Sequence, residues 1–125
     1  MRQSPRDQRR VEADRFGRAA EWWCVWHLRL RGYRVLARRF RTPMGEIDIV
    51  ARRGDTLAFI EVKARASRDA AVHALTEYQL RRIARAAEAF LARRPALANH
   101  ATRFDAMLVS PGGWPRHLRD VWRPD

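Results

Sequence analysis

Two neighbouring segments of this sequence alternate in hydrophobicity, and this pattern constrains the fold more than any other feature. Residues Glu46 to Ala51 alternate acids with isoleucines before two further apolar residues, and residues Thr56 to Ala64 alternate in a similar way. A period of two predicts β-strands with one apolar face. Because Arg53-Gly54-Asp55 has the composition of a tight turn, the segments are expected to form an antiparallel hairpin.

The position of the turn decides which acids face each other across the hairpin. A two-residue loop directly after Arg53 places Asp48 opposite Glu61 and also aligns Glu46 with Lys63. A loop placed one residue earlier pairs Glu46 with Glu61 instead. In both registers the acids share one face of the hairpin, an arrangement that only an odd-length loop or a bulge would break.

The rest of the chain predicts helices and strands around this hairpin. A helix is expected from the N-cap Asp14 to Arg31, and a second helix from Ala74 to Arg93. Their order, helix, three strands, helix and two strands, predicts an α/β domain with a mixed β-sheet flanked by helices. The further strands are expected at Tyr33–Phe40, Arg103–Val109 and His117–Trp122.

The first helix carries an apolar stripe that is expected to face the core. Its three tryptophans could stack on nucleic-acid bases, but tryptophans beside such a stripe are usually buried, so we expect them in the core. The stripe consists of Phe16, Ala19, Ala20, Trp23, Trp26 and Leu30, with Trp22 beside it.

A net charge of +12 over 125 residues favours a polyanionic partner, with nucleic acid ahead of an anionic membrane. A GC-rich genome, which raises arginine and alanine together, is an alternative cause of this charge. Residues 1–13 are rich in arginine and lack apolar periodicity, so they are expected to form a flexible basic tail before a single domain at 14–125.

A single cysteine, Cys24, excludes an internal disulfide and a cysteine-based zinc site, and it fits a reducing cytoplasm. No apolar run approaches 18 residues, so neither a membrane span nor a membrane partner is expected. The four histidines, which lack metal-ligand spacing and are expected to be structural or on the surface, are His27, His73, His100 and His117.

The hairpin combines acids with the only lysine among the chain's 26 lysine and arginine residues, Lys63. Asp48 opposite Glu61 would be unfavourable without a cation, because like charges across a strand pair repel. Mg²⁺ commonly uses one or two carboxylates together with waters and phosphate oxygens, and it stabilises charge on a phosphate under attack. The ammonium of Lys63 would orient the attacking water. The alternative is a solvated polar face in which Lys63 is an internal counterion.

These residues resemble a known family. Gly45-Glu46-Ile47-Asp48-Ile49-Val50, followed by Phe59-Ile60-Glu61-Val62-Lys63-Ala64-Arg65, is similar to the YraN-like family of small bacterial proteins. That family resembles the PD-(D/E)XK, or restriction-endonuclease-like, superfamily and the archaeal Holliday-junction resolvases. The resemblance covers residues 14 to 122, and it includes Gly17 to Glu21 in the first helix.

The resemblance implies a catalytic role for Asp48, Glu61, Lys63 and Glu21. It further implies that Asp48, Glu61, Glu21 and the backbone carbonyl of Val62 bind Mg²⁺ or Mn²⁺. Glu46 has no firm role and is a candidate for orienting the hairpin or Lys63.

The chain departs from the family pattern at two places. The segment before Gly45 has Arg38-Arg39-Phe40-Arg41 where the family usually has asparagine, and Gln79 stands where a lysine is usual. Both places are expected to contact DNA or to frame the site. The residues expected to bind nucleic acid are Arg38, Arg39, Arg41, Arg65, Gln79 and Arg82.

The function that these features imply is a Mg²⁺- or Mn²⁺-dependent endonuclease that acts on structured or branched DNA. A homodimer would suit two symmetric cuts, although no residue of the sequence establishes one. One alternative is a nucleic-acid-binding protein that keeps the nuclease fold without turnover. A third class is an adaptor whose basic surface docks on an acidic partner or membrane.

Overall fold

A computed structural model describes residues 4–124 of the chain, apart from the side chains of residues 10–14. It contains three α-helices, one turn of 3-10 helix and five β-strands. In chain order these are α1 (Pro5–Leu30), β1 (Arg34–Thr42), β2 (Gly45–Arg53), β3 (Thr56–Ala64), α2 (Arg68–His73), α3 (Glu77–Ala92), the 3-10 turn (Pro95–Leu97), β4 (Ala101–Val109) and β5 (Arg116–Trp122).

The five strands form one mixed sheet in the order β1-β2-β3-β4-β5. Strands β3 and β4 are parallel, and the other neighbours are antiparallel. A parallel pair needs a long crossover, which the segment with α2 and α3 supplies. Helix α1 packs on one face of the sheet, and α2 and α3 pack on the other. The predicted α/β class with a mixed sheet is confirmed, and it is consistent with a restriction-endonuclease-like fold.

Helix α1 begins at Pro5 and not at Asp14, so the predicted start was wrong. The Ser4 side chain caps this helix, because its Oγ accepts the Asp7 N–H over 3.1 Å. A serine cap followed by proline in the first turn is a strong start signal, and it outweighs the missing apolar periodicity. Residues 5–13, predicted as a tail, therefore have helical backbone, while residues 1–3 lie outside the described residues.

The face of α1 that packs on the sheet overlaps the predicted stripe only in part, at Phe16 and Ala20. Small and medium side chains, which allow the helix to approach the sheet closely, form the buried face: Ala20, Cys24, Val25 and Leu28. The prediction that the tryptophans are buried was wrong, because Trp22, Trp23 and Trp26 are 50%, 46% and 44% exposed. Helix α1 is apolar on two faces, and periodicity alone does not show which face meets the sheet.

The opposite face of the sheet packs against the apolar side of α3. Ile83, Ala87 and Phe90 are buried there, and Phe90 contacts the ring of Phe59 edge to face. The prediction of one helix from Ala74 was incomplete, because the short helix α2 precedes α3. The Ser67 side chain caps α2, whose Ala71 is buried against β4.

The hairpin of β2 and β3 has the first of the two expected registers, with Gly54-Asp55 as a two-residue loop. Arg53 pairs with Thr56, and Ile49 pairs with Ile60. Gly54 in the loop has φ 59°, a left-handed conformation that glycine adopts without strain. In the described part of the chain, no helix is both long enough and apolar enough to cross a membrane.

Candidate functional site

The two strands of the hairpin separate at the end where the acids lie. The backbone ladder between β2 and β3 ends at the pair Ile49–Ile60. Beyond this pair the Asp48 side chain replaces a backbone acceptor, because the Val62 N–H donates to Asp48 Oδ2 over 2.8 Å. The separation makes room between the strands for the carboxyl groups of Asp48 and Glu61.

The alternation of β2 is interrupted at this acid. Ile47 packs in the α3-side core and Ile49 in the α1-side core, so the prediction that both share a face was wrong. On the neighbouring strand, Arg39 has φ 51°, a left-handed conformation that costs a non-glycine residue about 1–2 kcal/mol. Such strain often accompanies functional sites, and here it turns the Arg39 side chain toward α1.

Asp48, Glu61 and Lys63 form one cluster. Asp48 and Glu61 line the same two cavities, and the charge of Glu61 acts on the Asp48 carboxyl. Lys63 Nζ lies 3.0 Å from Glu61 Oε1, and the Lys63 residue is only 7% exposed. The predicted convergence of these three side chains is therefore observed.

The surroundings of Asp48 disfavour its charged form. Burial raises the pKa of Asp48 from 3.8 to about 8, and the negative charges of Glu61 and, to a smaller extent, Glu21 add to this rise. The hydrogen bond from the Val62 N–H acts in the opposite direction. The protonated form of Asp48 is therefore favoured as long as no cation lies beside it.

Two further acids expected near the site each have an arginine partner. Glu21 Oε2 accepts a hydrogen bond from Arg39 Nε over 2.9 Å, and Glu46 Oε2 lies 3.5 Å from Arg41 Nε. The predicted alignment of Glu46 with Lys63 was wrong, because the hairpin ladder ends before reaching them and Glu46 pairs with Arg41 on β1.

Asp48 and Glu61 are the residues of this cluster that could hold a divalent cation. Within the described residues no group of three or more His, Cys, Asp or Glu side chains is arranged to hold a metal ion. The cluster therefore provides two carboxylate ligands, from Asp48 and Glu61. Mg²⁺ commonly binds one or two carboxylates together with waters and phosphate oxygens. Glu21 would have to leave Arg39 to become a third ligand.

A buried polar atom also points to an additional group at this place. Gln79 Oε1 is buried and has no hydrogen-bond partner among the described residues. It lines a cavity of about 240 Å³ together with Asp48, Glu61 and Arg82. A buried amide oxygen without a partner is unfavourable, and a water or ligand in this cavity would satisfy it.

The acids are also accessible to a ligand from the face of the sheet that α1 covers. A second cavity of about 240 Å³ is lined by Gly17 and Glu21 of α1, by Asp48 and Glu61, and by Arg65 after β3. The cluster therefore lies open between α1 and α3.

Gly45 sets the approach of α3 to the site. A Cβ on Gly45 would lie 2.7 Å from the backbone oxygen of Arg82, a distance that real Cβ atoms do not show. Because a backbone oxygen does not move as easily as a side-chain end, only glycine lets β2 pass this close to α3. The glycine of the Gly-Glu-Ile-Asp segment thus has a packing role.

Comparison with known proteins places the chain in a family. A model of the family described as "Uncharacterised protein family UPF0102" matches residues 20–109. The chain belongs to the UPF0102 family. This result confirms the resemblance to the YraN-like family.

Relatives of this UPF0102 protein are identical to it at about half of the aligned positions. A UPF0102 protein of Parvibaculum lavamentivorans is 54% identical over 91% of this chain and 86% of its own length. One of Paramagnetospirillum magneticum is 48% identical over 100% of both chains. One of Bradyrhizobium diazoefficiens is 53% identical over 87% of this chain and 82% of its own.

The arginines that were expected to bind nucleic acid fall into two groups in this UPF0102 protein. Arg38, Arg65 and Arg82 are exposed, and the latter two line the cavities next to the acids. Arg39 and Arg41 are engaged with acids instead. Their binding role, and that of Gln79, stays a prediction.

Sequence reasoning missed a buried charge network in this UPF0102 protein. The Asp105 side chain is fully buried and accepts hydrogen bonds from Arg103 and from the Asp120 N–H, and it pairs with His117 Nε2 at 2.7 Å. Burial alone would raise the pKa of Asp105, but the hydrogen bonds from His117 and Arg103 lower it overall. The alternating pattern Arg103-Phe104-Asp105 was the available signal, because it puts a charge pair on one face of a buried strand.

Proposed function

We propose that this protein is a metal-dependent endonuclease that hydrolyses phosphodiester bonds of structured or branched DNA. The observation that carries the proposal is the cluster in which the Asp48 and Glu61 carboxyls share one site with the Lys63 ammonium. Two carboxyls beside one ammonium, in a protein of net charge +12, suit hydrolysis of a polyanion.

Asp48 and Glu61 would hold the divalent cation, and the Val62 carbonyl and Glu21 remain candidate ligands. Mg²⁺ or Mn²⁺ at this position would stabilise the charge that develops on the phosphate and lower the pKa of a bound water. The protein's own part is to present both carboxyls half-buried, where each charge interaction is stronger than in bulk water.

Lys63 is suited to position a water or to stabilise the pentavalent phosphate. Its ammonium lies beside Glu61 and is almost fully buried, so its position is fixed. A fixed donor aimed at the point where charge develops needs no reorganisation during the reaction. Lysine also differs from arginine in being a compact point charge, which suits a crowded site.

Arginines around the two cavities would bind the DNA backbone. Arg65 and Arg82 lie on either side of the acids, and Arg38 is exposed on β1. Contacts of this kind give binding that is tolerant of sequence and strongly dependent on salt.

A nuclease assay tests the proposal. Duplex, single-stranded, flap and four-way-junction DNA are incubated with Mg²⁺ or Mn²⁺ and with Lys63→Ala, Asp48→Asn or the control Asp55→Asn, whose exposed carboxylate lies in the β2–β3 turn. We expect cleavage by wild type and D55N, and losses of at least about a hundredfold in K63A and D48N. Equal cleavage by all four proteins would refute the assignment.

A non-catalytic nucleic-acid-binding protein is the second candidate. It is favoured by the ion pairs Lys63–Glu61 and Arg39–Glu21, which partly neutralise the acids without a metal ion. In that case wild type binds junction DNA equally well in EDTA and in Mg²⁺, and no substrate in the panel is cleaved.

A further inference from the structure

A second surface, on the other flank of α1, combines positive charge with exposed tryptophan. A cavity of about 430 Å³ lies between the C-terminal part of α1 and the connection from β4 to β5. We call it the basic groove. Its cationic side chains are Arg31, Arg68 and Arg116, with His27 and His117 beside them.

The basic groove has a one-sided charge. Among the described residues that line it, none carries a carboxylate. Burial lowers the pKa of His27, and the charges of Arg31 and His117 lower it further, as expected where positive groups face one another. The three groove arginines are exposed, so their guanidinium groups are open to a ligand. Such a concentration of positive charge favours a polyanion.

Tryptophans extend the basic groove on its outer side. Trp114 is 74% exposed and Trp23 is 46% exposed, and their rings meet edge to face with centroids 5.9 Å apart. Together they line a further cavity of about 270 Å³, which shares Trp114 and Pro115 with the basic groove. We call Trp23 and Trp114 the tryptophan rim.

The backbone holds Trp114 in this exposed position. Gly112 has φ 74°, which turns the chain at the tip of the β4–β5 connection, and the following Pro115 is buried. Exposing a large indole costs free energy, and a fixed indole loses little entropy when it binds a ligand.

We propose that the basic groove and the tryptophan rim together bind a single strand of nucleic acid. The indole rings stack on bases, and the groove arginines contact the phosphates. Stacking on indole requires bases that are not already stacked in a duplex, which selects single strands. A second copy of this chain is disfavoured as the occupant, because two surfaces with the same positive charge would repel each other.

The groove lies next to the acidic cluster but is separate from it. Val109 lines the groove, and its carbonyl accepts the N–H of Arg65, a residue that lines the acidic cavity. An unpaired strand that is bound in the basic groove would therefore exit the groove close to the acids. The proposal does not depend on cleavage, because single-strand binding needs no metal ion.

Binding is measured by fluorescence anisotropy in EDTA with labelled oligothymidine and oligouridine of about 12 nucleotides, and with a duplex of the same length. We expect Trp114→Ala to weaken single-strand binding about five- to fiftyfold, and Trp114→Phe to restore most of it. Trp114 is mostly exposed, so its loss should not unfold the protein.

Two arginines of β5 provide a matched pair. Arg116 lines the groove, whereas Arg119 is exposed on the same strand outside the groove lining. We expect Arg116→Ala to weaken binding several-fold and to reduce the slope of log K against log salt by about 0.7, with a smaller change for Arg119→Ala.

Three results would overturn the proposal: unchanged binding by W114A, equal losses in R116A and R119A, or duplex binding as tight as single-strand binding. A dimer that dissociates in W114A while binding is unchanged would likewise overturn it and assign the surface to a second copy. Comparable affinities for oligothymidine and oligouridine support recognition through base stacking and phosphate contacts. A preference for one of them shows whether the bound strand is DNA or RNA. Binding is measured in EDTA and needs no metal ion at the acidic cluster, so failure of the nuclease proposal leaves this test intact.

Discussion

Replacing Asp48 by asparagine should stabilise the metal-free protein, and increasingly so as pH rises. Asparagine keeps an oxygen that accepts the Val62 N–H, but it removes the charge that burial and Glu61 disfavour. The folded-state pKa of Asp48 is about 8, compared with 3.8 for an ordinary aspartate. Between these values the folded wild type retains a proton that the unfolded chain releases, so its stability falls as pH rises.

The size of the effect follows from the same linkage. At about 1.4 kcal/mol per pH unit, the free energy of unfolding of D48N relative to wild type should grow by up to about 4 kcal/mol between pH 5 and pH 8. Urea denaturation in EDTA at several pH values measures this difference, with D55N in the exposed turn as the control. A difference that stays constant with pH, or falls, would refute the reasoning about the acid pair.

Two further predictions concern packing and the buried charge network. In the same urea titration, Gly45→Ala should destabilise the protein by about 1–3 kcal/mol, because the new Cβ would press on the Arg82 backbone. Gly17→Ala is the control: a Cβ at this position of α1 has nothing within 4 Å, so the substitution should stabilise the protein by about 0.5–1 kcal/mol. Asp105→Asn should cost about 3 kcal/mol, because it leaves the half-buried Arg103 guanidinium without its charge partner and removes an acceptor from His117. A change in the midpoint no larger than that of D55N would contradict the role of this network.

The sequence was sufficient for the β2–β3 hairpin and for the proximity of its acids. Alternation and a glycine turn limited β2 and β3 to two registers, and the observed one brings Asp48 close to Glu61. Local patterns determine such a hairpin because both strands and the turn act within a few residues of one another.

The sequence was insufficient where tertiary packing decides between two local solutions. Helix α1 has apolar residues on two faces, and only the space above the sheet selects Ala20 and Cys24 over Trp23. The irregular backbone at Arg39 and the end of the ladder beside Asp48 have no periodic signal either. The pairing of Glu21 with Arg39 depends on these irregularities and so was not predicted.

Calorimetric titration with Mg²⁺ and Mn²⁺ tests most directly whether the Asp48–Glu61 pair binds a divalent cation. We predict that one ion binds per wild-type chain, that protons are released near pH 7 because Asp48 is partly protonated there, and that D48N loses this binding while D55N keeps it. Absence of binding to wild type, or binding of equal strength to D48N, would contradict the account.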